Sequence, residues 1–249
     1  MKIRRPPADV PENDPRRRLV VQALTLGWLA GGAGWNLPAL ASVFGKLPGK
    51  LPEGKSIFEL KGDVQVNGKP ATMDTLIRPT DKVTTAAGSH VVAVVGQDAF
   101  ILREKSALEF DAASALKQSM RLVTGALLAV FGHRTDRASL NVRTPTVTIG
   151  IRGTGLYAEV DPEKTYLCTC YGTTDMTSVA DPKAKESVTT THHNAPRYIL
   201  AKPEGGKRII PGPFINHTDL ELMTLEALVG RTVPFGLPDT EYQAPRREY

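Results

Sequence analysis

Between residues 57 and 171 the chain is cut at regular intervals into apolar or alternating runs of three to six residues, and this spacing restricts its fold more than any other feature. The runs fall at 57–60, 64–66, 75–77, 82–85, 90–95, 99–102 and 107–110. After a polar patch at 112–118 they resume at 120–123, 126–131, 139–142, 146–149, 156–160 and 166–171. Runs of this length bounded by turn residues predict strands, and no 3.6-residue pattern separates them. Asn67-Gly68 between Val-Gln-Val and Lys-Pro marks a tight hairpin turn, because both central residues of such a turn need positive φ. The fold class is therefore all-β, a β-sandwich or a β-roll of many short strands; the spacing leaves those two open. With 22 Gly and 19 Pro the composition favours many short strands over long helices.

One helix signal stands near the carboxy terminus. Thr218-Asp-Leu-Glu221 forms a capping box, Leu222, Leu225, Leu228 and Val229 make an apolar stripe, and Gly230 is a stop, so a helix is expected over 219–229. The Pro- and Gly-dense stretch at 46–55 reads as part of a linker over 42–56. This gives a β domain at 57–175 and a carboxy-terminal extension at 176–249 that holds short strands and the helix. The final residues, from Thr232 onward, read as an extended surface tail.

Arg16-Arg17-Arg18 lead into an apolar stretch, and Ala39-Leu40-Ala41 supplies small residues at the −3 and −1 positions of a cleavage site, the layout of a secretory signal over 1–41. The rival reading is an uncleaved anchor at 19–35, slightly short of the roughly 20 residues that span a bilayer. Either way the basic flank stays inside and the body is expected in the periplasm, touching membrane only if the anchor is retained. Part of the net charge of +5 lies in those first residues. The body carries no basic stripe with interleaved aromatics, so no nucleic-acid partner is expected.

Cys168 and Cys170 are the sole cysteines. On a strand, side chains two residues apart share a face with Cβ atoms about 6 to 7 Å apart, too far for a disulfide but suited to two thiols converging on a soft ion. His193 and His217, or His192 in place of His193, would complete a four-ligand set for Zn²⁺ or copper. Adjacent histidines on a strand point opposite ways, so at most one of His192 and His193 is expected to join the cysteines. The plain alternative is that the thiols are small buried hydrophobes and the histidines surface or capping groups. A third reading, with Cys170 as nucleophile, His193 as base and Asp219 as orienter, lacks a framing nucleophile elbow or oxyanion loop. No catalytic residue is assigned.

Two stretches carry a family resemblance. The first runs from Gly62-Asp-Val through Asp81-Lys-Val-Thr-Thr and Ala-Gly-Ser89 to Phe110. The second is Val123-Thr-Gly125, followed by Val142-Arg-Thr144-Pro145-Thr-Val-Thr-Ile-Gly150-Ile-Arg152-Gly153-Thr154. Together they resemble the periplasmic domain of the FecR (iron-dicitrate transport regulator) family over about residues 57–172. The resemblance implies an all-β, non-enzymatic module that binds, senses or scaffolds, with another protein or an envelope component as partner. Signalling members place a cytoplasmic anti-sigma domain before the membrane segment. Only eighteen residues precede the apolar stretch here, so sigma-factor regulation is not expected. Within the second stretch, Gly150 and Gly153 read as points of close backbone approach or a bulge, and Arg152 as an architectural residue paired with a carboxylate.

Overall fold

The computed structural model describes residues 47–114, 117–133 and 139–236. The segment expected as a secretory signal or anchor, with its expected cleavage point, and the residues from 237 onward lie outside the described residues. Fourteen strands form one hydrogen-bonded network, and a single α-helix lies among the described residues. The strands are β1 (Ile57–Lys61), β2 (Val64–Val66), β3 (Lys69–Pro70), β4 (Lys82–Thr85), β5 (His90–Val95), β6 (Asp98–Leu102) and β7 (Ala107–Ser114). They continue with β8 (Lys117–Val130), β9 (Ser139–Arg143), β10 (Val147–Val160), β11 (Lys164–Ser178), β12 (Lys185–Thr190), β13 (Arg197–Glu204) and β14 (Lys207–Pro211). The helix α1 spans Asp219–Leu228.

Neighbouring strands are antiparallel except β8 and β9. Three long strands shape the sheet, because each changes partner along its length. Residues 117–124 of β8 pair with β7, and residues 125–130 pair with β10. β10 passes from β9 to β8, and β11 passes from β13 to β12. Each long strand thus serves two sets of neighbours, which rolls the sheet around the core formed by Val83, Leu108, Leu122, Leu127, Ile149, Leu156, Leu167 and Ile199. The opposite face is also covered at the centre: Leu128, Tyr157 and Cys168 belong to a second buried cluster with Leu222, Leu225 and Leu228 of α1. A strand buried on both faces has no need to alternate, which explains the continuous apolar run of Ala126 to Phe131.

Gly125 sits where β8 changes partner, at φ +80°, and a Cβ there would lie 2.6 Å from the Ser106 Cα. Only glycine fits. The runs at 120–123 and 126–131, expected as separate strands, are one strand, β8, which ends at Val130. The runs at 146–149 and 156–160 likewise merge into β10. Residues 75–77 do not form a strand. The buried Ile77 amide donates to the Ser56 hydroxyl at 3.0 Å rather than to a neighbouring strand. The Asn67-Gly68 turn has positive φ at both residues, 53° and 75°, as the hairpin requires.

The sheet does not stop at residue 175: β11 runs to Ser178, and β12, β13 and β14 extend the same network. Residues 47–56 carry no strand or helix, yet the Leu51 amide donates to the Leu228 carbonyl at 2.9 Å, strapping this segment to the end of α1. Thr218 caps α1 as expected: its hydroxyl accepts from the Glu221 amide, while the Glu221 carboxylate accepts from the Thr218 amide.

Candidate metal centre

Cys168 and Cys170 lie mid-strand on β11, where both it and β10 are irregular. Arg152 faces Thr173 and Gly155 faces Tyr171, so β10 carries one residue too many at Gly153-Thr154. One step on, Leu156 faces Thr169, and the extra residue is now Cys170 of β11. The two bulges cancel, so the ladder regains its register beyond them. The bulge turns Cys170 toward Cys168 and places Cys168, Cys170 and Tyr171 in the same buried cluster. Gly153 (φ +58°) provides the bulge on β10. A Cβ on Gly150 would meet nothing closer than 3.6 Å, so Gly150 is an ordinary strand position and the close approach expected there does not occur.

The histidines arrive from two loops. His192 and His193 follow β12 on a bend, not on a strand, and His193 has φ +52°. Histidine is among the residues that tolerate this left-handed conformation. The alternation rule therefore does not apply: both rings turn toward Asp219, with centroids 4.9 Å apart. His193 also keeps company with the cysteines, its amide donating to the Cys170 carbonyl at 2.9 Å. Asn216, also left-handed at φ 62°, sets up His217, which precedes the Thr218 cap. Donor atoms of Cys168, Cys170, His193 and His217 all lie within 4.8 Å of one another, and all four residues are buried. His192 stands outside this group.

Each imidazole is held from its far side. His193 Nε2 is 3.0 Å from Asp219 Oδ1, and His217 Nδ1 donates to the Ile215 carbonyl at 2.6 Å. The Ile215 carbonyl and the Asp219 carboxylate engage the outer ring nitrogens, so His193 Nδ1 and His217 Nε2 face inward. Those two nitrogens are 3.2 Å apart, and His193 Nδ1 is 3.5 Å from Cys168 Sγ. Two ring nitrogens facing each other beside two thiols can share a proton or hold a cation between them. Tyr157 stacks on His217 at 4.6 Å and Phe214 packs on His193 at 4.5 Å, so the surroundings are aromatic and dry.

The two thiols are free and differ electrostatically. Burial raises Cys168, but a hydrogen bond with Cys170, the charge of His217 and hydrogen bonds with both imidazoles outweigh it and hold this thiol well below the usual range. Burial, then the hydrogen bond to Cys168 and its charge, push Cys170 well above it. The thiol that faces His193 is Cys168 rather than the Cys170 of the nucleophile reading. Both are wholly buried, leaving neither sulfur a face open to a substrate.

The remaining motif residues serve the architecture around this centre. Thr144 and Pro145 turn the chain between β9 and β10, and the Thr144 hydroxyl meets that of Thr165 on β11 at 2.7 Å. Thr154 is buried in the β10 bulge. Arg152 reaches Asp175 of β11 at 2.9 Å on an exposed face of the sheet. Sequence reasoning missed Phe214 and Phe235. Phe235, in the segment expected as a surface tail, stacks on His192 at 4.3 Å and meets Tyr171 edge-on.

Fold and centre together define an all-β module with a buried thiol–imidazole cluster at its middle. Residues 81–172 match the family model described as FecR protein, a stretch that includes both cysteines but neither histidine loop. No curated protein matches the chain. Two crystal structures of a candidate anti-sigma factor from Parabacteroides distasonis, at 2.50 and 1.65 Å, are similar in part. Each is 11% identical with a TM-score of 0.44; they cover 57% and 59% of this chain and 70% and 74% of their own. A likeness of that degree carries no functional meaning. No helix among the described residues is long and apolar enough to cross a membrane.

Proposed function

We propose that this protein is a non-enzymatic binding or sensing module of the periplasm, in which a FecR-like β domain holds one Zn²⁺ ion on Cys168, Cys170, His193 and His217. The observation that carries the reading is the convergence of four buried donors, two thiols and two imidazoles, from three separate segments within 4.8 Å. Two cysteines and two histidines with no open position form a closed tetrahedral set of the kind used by structural zinc. Charge favours zinc over monovalent copper: two thiolates neutralise a divalent ion, whereas a monovalent one would leave net negative charge in a dry site beside Asp219. The FecR match supports the sensing role and the compartment, with a protein or envelope component as the downstream partner.

The test is metal content by mass spectrometry of protein purified without oxygen, in the parent and in Cys168→Ser/Cys170→Ser. About one zinc per chain in the parent and none in the double variant is expected for a single four-ligand site. Sub-stoichiometric metal in both, with unchanged stability, overturns the proposal and leaves the thiols as packing groups in an interaction scaffold.

A further inference from the structure

A centre whose four ligands are sealed from water needs a way in. Cys168 and Cys170 are 0% exposed, His217 is 1% exposed, and the His193 side chain is 0% exposed. His193 nevertheless has two ring nitrogens. Nδ1 faces the inner centre, and Nε2 faces outward to Asp219 Oδ1 at 3.0 Å. The same carboxylate lies 2.9 and 3.0 Å from His192 Nε2. Ligand atoms of His192, His193 and Asp219 all lie within 4.8 Å of one another, forming a second group that shares one residue with the first. Of the six residues in the two groups, His192 alone has a substantial solvent-facing surface, its side chain being 20% exposed.

We propose that His192, His193 and Asp219 form an outer metal site that captures Zn²⁺ from solution and relays it to the inner thiols. The inference rests on the inner centre being a metal site. Two imidazoles and one carboxylate suit a hydrated divalent ion. Such a set binds less tightly than one with two thiolates, as a relay requires. Capture requires Nε2 of each imidazole to be unprotonated, so the single ring proton moves to Nδ1 and both rings stay neutral. The ion then moves around the His193 ring to Nδ1, where His217 Nε2 and the two sulfurs take it, the protons those donors carry leave to water, and a proton returns to His193 Nε2. His193 resumes its bond to Asp219 behind the ion. A purely structural role for His192, stacked on Phe235, would leave the speed of loading untouched.

The experiment uses the full chain, stripped of metal and kept reduced, with Co²⁺ as the probe. Only the inner centre has thiolates, so a thiolate-to-cobalt absorption band reports its filling. Stopped-flow loading is compared in the parent, in His192→Ala, in His192→Phe, which keeps a ring against Phe235, and in His90→Ala as a distant control. Both His192 variants are expected to fill at least tenfold more slowly and to reach the parent's final absorbance, while the control fills at the parent rate. Loading of both His192 variants within twofold of the parent overturns the relay and leaves the inner site standing. Absence of the band in the parent overturns the inner site, and the relay with it.

Discussion

Removing the metal should lower thermal stability by an amount that free zinc itself sets. The ligands come from positions 25 and 24 residues apart, Cys168 to His193 and His193 to His217, so the ion adds a cross-link to two chain loops that strand pairing already closes. An unfolded chain presents the four donors far apart and binds weakly, so folding and binding are linked. At free zinc one hundredfold above the dissociation constant the linkage contributes about 2.7 kcal/mol. A domain of this size shifts by about 2 to 4 °C per kcal/mol, giving a rise of about 5 to 11 °C over the metal-free protein. Each further tenfold of free zinc adds about 1.4 kcal/mol, or about 3 to 6 °C. The assay is thermal unfolding followed by circular dichroism in zinc buffers, from excess chelator upward. Hydrogen exchange on the same samples should show the amides of α1 losing protection first, since ten residues cannot hold a helix without docking and His217 is the ligand next to its cap. A melting temperature that moves by less than about 1 °C across the buffers, where linkage requires several degrees, refutes the reasoning. So does an equal slope in Cys168→Ser/Cys170→Ser.

Other outcomes follow from the same contacts. Asp219→Asn should weaken zinc affinity by about 10- to 100-fold, the usual effect of losing an outer partner of a ligating histidine, as read by competition with a chelating dye. An unchanged affinity would remove Asp219 from the centre. Arg152→Ala should cost less than about 1 kcal/mol in urea unfolding, because its pair with Asp175 is exposed; a loss above about 2 kcal/mol would mean a buried role. Asp175 is held below its ordinary range, first by a hydrogen bond with Ser187, against slight burial, and then by Arg152. Its small contribution is therefore present above the ordinary carboxylate range and fades as pH falls through the lowered value; Asp175→Asn should remove that acid-side loss, which unfolding midpoints across pH would reveal. Gly125→Ala meets Ser106 backbone at a positive φ and should cost about 2 kcal/mol or more, whereas a loss under about 0.5 kcal/mol would show that β8 can shift there.

The strands, the hairpin and the capped helix were legible because each is written in local chemistry: a period, a turn pair, a capping box. The donor types at the centre were legible too, since two thiols two residues apart on an expected strand raise the question of what protects them. What brings the donors together was not. The Cys170 bulge exists only relative to β10, and no reading of residues 164–178 alone reveals a mismatch with a strand that precedes it. Only His193 of the adjacent pair joins the cysteines, as expected, but it does so from a bend and not by strand alternation. Phe214 and Phe235 carry no local signal, because their role is to lie over rings contributed from elsewhere. The run at 75–77 looked like a strand and had no neighbour to pair with.

The cancelling bulges of β10 and β11 behave like a frameshift and its suppressor. Deleting Gly153 alone, or Cys170 alone, would slide one strand by a residue and send every side chain beyond it to the wrong face. Deleting both restores the reading frame of the ladder while taking away one sulfur. Sheet and centre are thus separable in sequence, and a doubly shortened chain would show what the fold does when it has nothing left to hold.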